Sequence, residues 1–74
     1  MKNQSPQWPS TKAPRVLAAL LRIGWRVKRQ ASSHQVLTKS GWQDYTFAYH
    51  DRKELGRVAL EKLGKKTGLR PKDL

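Results

Sequence analysis

The sequence predicts a single α+β domain with the element order α-β-β-β-α. Three observations carry this. Two apolar stripes at helical spacing lie toward the two ends of the chain, at Ala13, Val16, Leu17, Leu20, Leu21 and at Leu55, Val58, Ala59, Leu60, Leu63. Between them, residues 25–30 and 43–49 alternate with the period of a strand. Short polar breaks separate three strand-like runs, and loops that short join strands as an antiparallel meander. A three-stranded antiparallel sheet with two helices packed on one face buries both stripes and leaves the other sheet face open.

Residues 1–10 (MKNQSPQWPS) hold two prolines and no periodicity, and read as a mobile extension. The first helix is expected over 11–23. Thr11 or Ser10 can cap it, and Pro14 suits a first turn, where its missing N–H would have had no partner anyway. Gly24 supplies the left-handed residue that stops the helix. In 25–30, Trp25, Val27 and Arg29 point one way and Arg26, Lys28 and Gln30 the other, which makes a half-buried strand with a basic outer face. The second strand covers 34–39. Its facing stays open, because Val36 and Leu37 are adjacent. Ser40 and Gly41 mark a hairpin turn. The third strand puts Tyr45, Phe47 and Tyr49 on one face and Asp44, Thr46 and Ala48 on the other. Asp51 and Glu54 resemble a capping box for a helix starting near Arg52, while Gly56 argues for a firm start near Arg57. That helix runs to Thr67. Lys65 and Lys66 complement its dipole, Gly68 ends it, and Leu69 is a candidate anchor. The domain proper spans 11–70, with 71–74 as a short tail.

Charge narrows the function. Sixteen Lys and Arg against five acids give a formal net charge of +11 over 74 residues, and no acid precedes Asp44. Such a chain is drawn to polyanions, above all nucleic acid. With no cysteine, disulfides and thiolate metal sites are excluded. No apolar run reaches the length of a membrane span, so a cytoplasmic setting without membrane attachment is expected. The acids are scattered and the two histidines lie far apart in sequence, so no metal site is expected and no cofactor is called for.

What remains is histidine among cations. RNA cleavage without metal needs a base for the ribose 2′-OH, an acid for the leaving oxygen and cations for the phosphate. His34, at the opening of the second strand, suits the first two tasks because imidazole titrates near neutrality. Lys28, Arg29 and Lys39 suit the third, with Arg26 and Ser33 as further expected RNA contacts. On the residues alone, a lone histidine at a strand start is more often structural or exposed than catalytic. Among the aromatic residues, Tyr45 and Phe47 read as core. Trp42, beside the turn, is the one most exposed and a secondary candidate for base stacking, as His50 is for the site.

The segment GWRVKRQASSHQVL resembles the HicA (YcfA-like) toxin family, which shows G-[WF] after the first helix and then a strand ending R-Q-x-G-S-H. The matching residues are Gly24, Trp25, Arg29, Gln30, Ser33 and His34. Downstream, FAYHDRKEL is similar to the family's V-P-x-H-x-x-x-E-[IL], matched at His50, Glu54 and Leu55, and the spacing to Gly68-Leu69 also agrees. The departures are Ser32 for glycine, Ala48 for proline, Val58-Ala59 for Gly-Thr and Gly64 for an aliphatic residue. The resemblance implies a fold like double-stranded RNA-binding domains. It implies a toxin of a toxin–antitoxin pair, acting as a metal-independent mRNA endoribonuclease with His34 as general acid/base. It also implies a HicB-like antitoxin partner, through which alone DNA would be engaged. The competing readings are a non-catalytic RNA-binding module, an inactive family member and a small nucleic-acid-associated structural protein.

Overall fold

The computed structural model describes residues 8–31, 33–48, 50 and 52–74. Its first element is a two-residue strand, β1 (Thr11–Lys12), where the sequence suggested a helix start. Thr11 does not cap the helix, since its hydroxyl donates to the Pro9 carbonyl at 2.6 Å. Helix α1 (Ala13–Arg22) follows, with Lys12 at its N-cap and Pro14 in its first turn. Ala13, Val16, Ala19 and Leu20 are buried and Leu17 half-buried, whereas Leu21 is exposed. The stripe therefore lies slightly rotated from the one drawn through Leu17 and Leu21, with Ala19 in the core. Gly24 takes φ +110°, the conformation that the helix stop demanded.

Strands β2 (Arg26–Ala31), β3 (His34–Thr38) and β4 (Tyr45–Ala48) form the expected antiparallel meander in the order β2-β3-β4. Leu37 and Phe47 face the helices and are buried beside Gln35, with Tyr45 half-buried next to them. This settles the facing of β3: Gln35 and Leu37 point inward, Val36 outward. Tyr45 and Phe47 behave as core, as their alternation indicated. Tyr49, the third aromatic residue of that face, lies outside the described residues.

The β2 pairing departs from simple alternation. Arg26 opposes Thr38 and Val27 opposes Leu37, but the next pair is Arg29 with Val36. Lys28 is the extra residue of a β-bulge, which resets the facing of all that follows. Arg29 thus joins Arg26 on the outer face, and Gln30 moves to the inner side opposite Gln35. The assignment of Arg29 to the Trp25–Val27 side, and of Gln30 to the outer side, is corrected by this one insertion. Nor is β2 half-buried: all six of its residues are exposed, and it forms a charged sheet edge.

After β4, residues Glu54–Leu55 form a short strand, β5, antiparallel to β1 with Thr11 opposite Leu55 and Lys12 opposite Glu54. The Ala13 N–H extends this tie by donating to the Lys53 carbonyl at 2.8 Å. Glu54 is therefore a strand residue, not part of a capping box, and Asp51 lies outside the described residues. Helix α2 (Arg57–Thr67) starts where Gly56 suggested, and Gly68 closes it at φ +79°. Leu60, Leu63 and the anchor Leu69 are buried with the α1 stripe.

Trp25 ties these layers together. It is 1% exposed, and its indole N–H donates to the Thr67 carbonyl at 3.0 Å, capping the end of α2. Trp8 is half-buried against the same core and lies over Gly64, so the expected extension contributes to packing at this residue. The remainder of that stretch, residues 1–7, lies outside the described residues. At the other terminus the tail turns as a short 3-10 helix, Pro71–Asp73. The Arg22 guanidinium donates to the Asp73 carbonyl at 2.6 Å, and Leu74 packs on the core.

Candidate functional site

The sheet face turned away from the helices carries Arg26, Arg29 and Ala31 from β2, His34, Val36 and Thr38 from β3, and Thr46 and Ala48 from β4. His34 lies in the middle strand at one end of this face. Its partners are Ala31 on one side and Ala48 on the other. Directly opposed side chains in a sheet are each other's nearest neighbours. Directly opposite the imidazole, each flanking strand therefore presents only a methyl group. His34 is exposed, and its ring makes no hydrogen bond among the described residues.

Arg29 opposes Val36, one same-face step from His34, and is therefore its diagonal neighbour, at about 7–8 Å between backbones. Arg26 follows at the next same-face position, opposite Thr38. The bulge thus aligns two guanidinium groups in a row leading away from the histidine. A regular strand with the same sequence would have separated them onto opposite faces.

The other basic candidates go elsewhere. Lys28, the bulged residue, pairs with Asp44 at 2.8 Å. The Asp44 carboxyl is held below the usual carboxylate range, first by the Lys28 ammonium and then by the Thr38 hydroxyl. Lys39 lies just past the far end of β3, five residues from His34, or about 16 Å along a strand. Its side chain runs past Gly24 and places Nζ 5.7 Å from the Trp42 ring centre. Ser33 is half-buried immediately before His34. The question raised by Ser32, where the family pattern has glycine, lies outside the described residues. His50 is exposed, two residues beyond Ala48, so at most about 7 Å of chain separates it from the residue that opposes His34.

Sequence reasoning singled out His34 as a candidate but did not anticipate what surrounds it. The two alanines carry no chemical signature of their own. The bulge has none either, because the run of Val27, Lys28 and Arg29 reads as plain alternation. The Lys28–Asp44 pair spans the meander from β2 to the start of β4, and the one sequence signal for it is that Asp44 is the first acid in the chain. Among the described residues, no three His, Cys, Asp or Glu side chains gather as metal ligands would, and no helix is long and apolar enough to cross a membrane.

Comparison with known proteins adds a family. Residues 13–69 match the model for the HicA toxin of bacterial toxin-antitoxin systems, from the first residue of α1 to the anchor Leu69. The chain belongs to the HicA toxin family. Neither a curated protein nor a solved structure gives a significant match. The HicA assignment covers all three strands of the meander and both helices, and it makes the chain a toxin with an antitoxin partner. In this HicA domain, the motif that carried the resemblance occupies the end of β2 and the start of β3.

Proposed function

We propose that this HicA toxin is a metal-independent mRNA endoribonuclease in which His34 is the general acid/base. The observation that supports this most directly is the setting of His34. It is an exposed imidazole on an open sheet face, flanked by two alanines, with Arg29 as its diagonal neighbour. A phosphodiester laid on this face meets an exposed imidazole with a guanidinium on the neighbouring strand.

The chemistry follows from those groups. The neutral imidazole takes the proton of a ribose 2′-OH, and the oxygen attacks the adjacent phosphorus. Arg29 faces the phosphate oxygens as negative charge gathers there, and Arg26 binds the strand one position further on. The P–O5′ bond breaks and the imidazolium returns its proton to the leaving 5′-oxygen. The products are a 2′,3′-cyclic phosphate and a 5′-hydroxyl, and His34 ends neutral. His50 is a secondary candidate that supports binding rather than the proton transfers. A HicB-like antitoxin that covers this face would silence the toxin, and an acidic surface would suit the task.

The test is cleavage of single-stranded RNA in EDTA. His34→Ala is expected to lower the rate by about 10²–10⁴-fold, the usual worth of a positioned acid/base, with RNA affinity little changed. His50→Ala is expected to cost far less. RNA that binds but stays intact with wild-type protein would instead make the domain a non-catalytic RNA-binding module.

A further inference from the structure

A second feature lies away from His34. A half-open groove of about 620 Å³ runs between the hairpin turn and the C-terminal end of α2. Trp42, Tyr45 and Thr46 line one wall, and Lys65 and Lys66 the other. Asp44 also lines it, with its charge engaged by Lys28.

Trp42 is held in place. Its ring meets the buried Trp25 edge to face at 6.0 Å and 61°. It also rests on Gly68, where an added Cβ would come within 3.1 Å of the indole. Lys39 sits over it as a cation–π partner. Despite these contacts the residue is 43% exposed. A tryptophan that served only as filler would be sealed by its surroundings. This one is fixed at its base and open to the groove. Across from it, Lys65 and Lys66 are exposed and take part in no ion pair among the described residues. The negative end of the α2 dipole, which would repel an anion, is partly answered: the Thr67 carbonyl is capped by Trp25 and the Gly64 carbonyl by the Gly68 N–H.

A rigid, half-exposed indole facing two free ammonium groups matches a nucleotide of a single strand, with its base on the ring and its phosphates on the lysines. We propose that this groove is an accessory binding site for single-stranded RNA, with a base on Trp42 and the backbone on Lys65 and Lys66. The groove reaches the catalytic face at Thr46. That residue is two positions, about 7 Å, from Ala48, the partner of His34. One RNA strand can therefore occupy both places. The site holds substrate flanking the cleaved bond and leaves the bond-breaking step to His34, so it rests on RNA being the ligand of that face.

Binding and cleavage of a long single-stranded RNA and of a dinucleotide test this in wild type, Lys65→Glu/Lys66→Glu, Trp42→Phe and His34→Ala. The lysine pair is exposed, so its variant keeps the fold, as circular dichroism will verify. It is expected to weaken binding of the long RNA on the order of tenfold, and to flatten the slope of log affinity against log salt by about 1.4, the mark of two lost single-strand phosphate contacts. Cleavage of the dinucleotide, which from His34 reaches no further than the groove's edge at Thr46, should stay as in wild type. RNA should quench the fluorescence of wild type more than that of Trp42→Phe, which lacks the exposed indole. An unchanged affinity and salt slope in the lysine variant overturn the groove while leaving the His34 assignment intact. Weakened binding, together with cleavage that survives His34→Ala, upholds the groove and overturns the His34 assignment. Wild-type protein that fails to bind RNA at all overturns both.

Discussion

Lys28 shows how one residue changes what its neighbours can do. As the extra residue of the bulge it has no partner in β3, and its ammonium turns to Asp44 at 2.8 Å. Both side chains are exposed, so the pair contributes little to folding. Its effect is on charge: it neutralises one cation of the basic edge strand. The folded Asp44 carboxyl titrates below its ordinary range, chiefly through Lys28. A depressed pKa means that the stabilisation is present above the unfolded carboxylate value and is lost as pH falls through the folded one. An NMR titration should place the Asp44 midpoint low in wild type and move it up in Lys28→Met. A midpoint indifferent to that substitution would dissolve the pair. Asp44→Asn should release Lys28 and steepen the salt dependence of RNA binding by about 0.7, one added single-strand contact. The residue-scale content of the site was legible only in part. His34 stands in a recognisable motif, but the alanines beside it and the direction of Arg29 depend on register, which no local pattern encodes.

Among the elements, long periodic ones were read correctly and short or irregular ones were not. Helices α1 and α2 and the three-stranded meander follow from stripes and alternation, each repeated often enough to identify itself. The β1–β5 pair has two residues per strand and shows no period at all. It forms because the chain on either side is already anchored, with Ala13 buried after β1 and Leu55 buried within β5. Gly64 shows the same dependence on tertiary context. A glycine inside a helix looks like a weakness of about 1 kcal/mol relative to alanine. Here a Cβ would meet the Leu69 carbonyl oxygen at 2.8 Å and the Trp8 ring at 2.9 Å. Trp8 takes the space that an aliphatic side chain at position 64 would fill. Gly64→Ala should therefore destabilise the domain despite the better propensity, by about 1–3 kcal/mol in urea unfolding, because overpacking outweighs the helical gain. In a Trp8→Ala background the cost should shrink but not vanish, since the Leu69 carbonyl remains. A stabilising Gly64→Ala would show that the helix end yields more easily than its contacts suggest.

At the scale of the molecule, charge and fold work against each other. Only three ion pairs occur among the described residues, Lys28–Asp44, Arg57–Glu61 and Arg70–Asp73, against sixteen cations in the chain. The remaining cations repel one another across a thin core, and a net charge of +11 opposes compaction in low salt. The same field would draw in the proposed RNA substrate or an acidic inhibitor. Salt must then act in opposite directions on the two properties. Screening shortens the reach of repulsion to about 8 Å at physiological ionic strength, so added salt should raise folding stability. If it relieves about 1 kcal/mol, the melting temperature should rise by about 4–8 °C, as expected for a domain of this size. Over the same range RNA affinity should fall steeply, because each lysine or arginine contact to phosphate releases a counterion. Thermal melts and RNA titrations across one salt series separate the two effects. A melting temperature that falls with added salt would mean that local pairs outweigh net repulsion, contrary to how few of them occur among the described residues. A polyanion without sequence, such as heparin, should behave as RNA does toward stability. It should raise the melting temperature at low salt, lose this effect as salt increases, and leave His34→Ala as responsive as wild type.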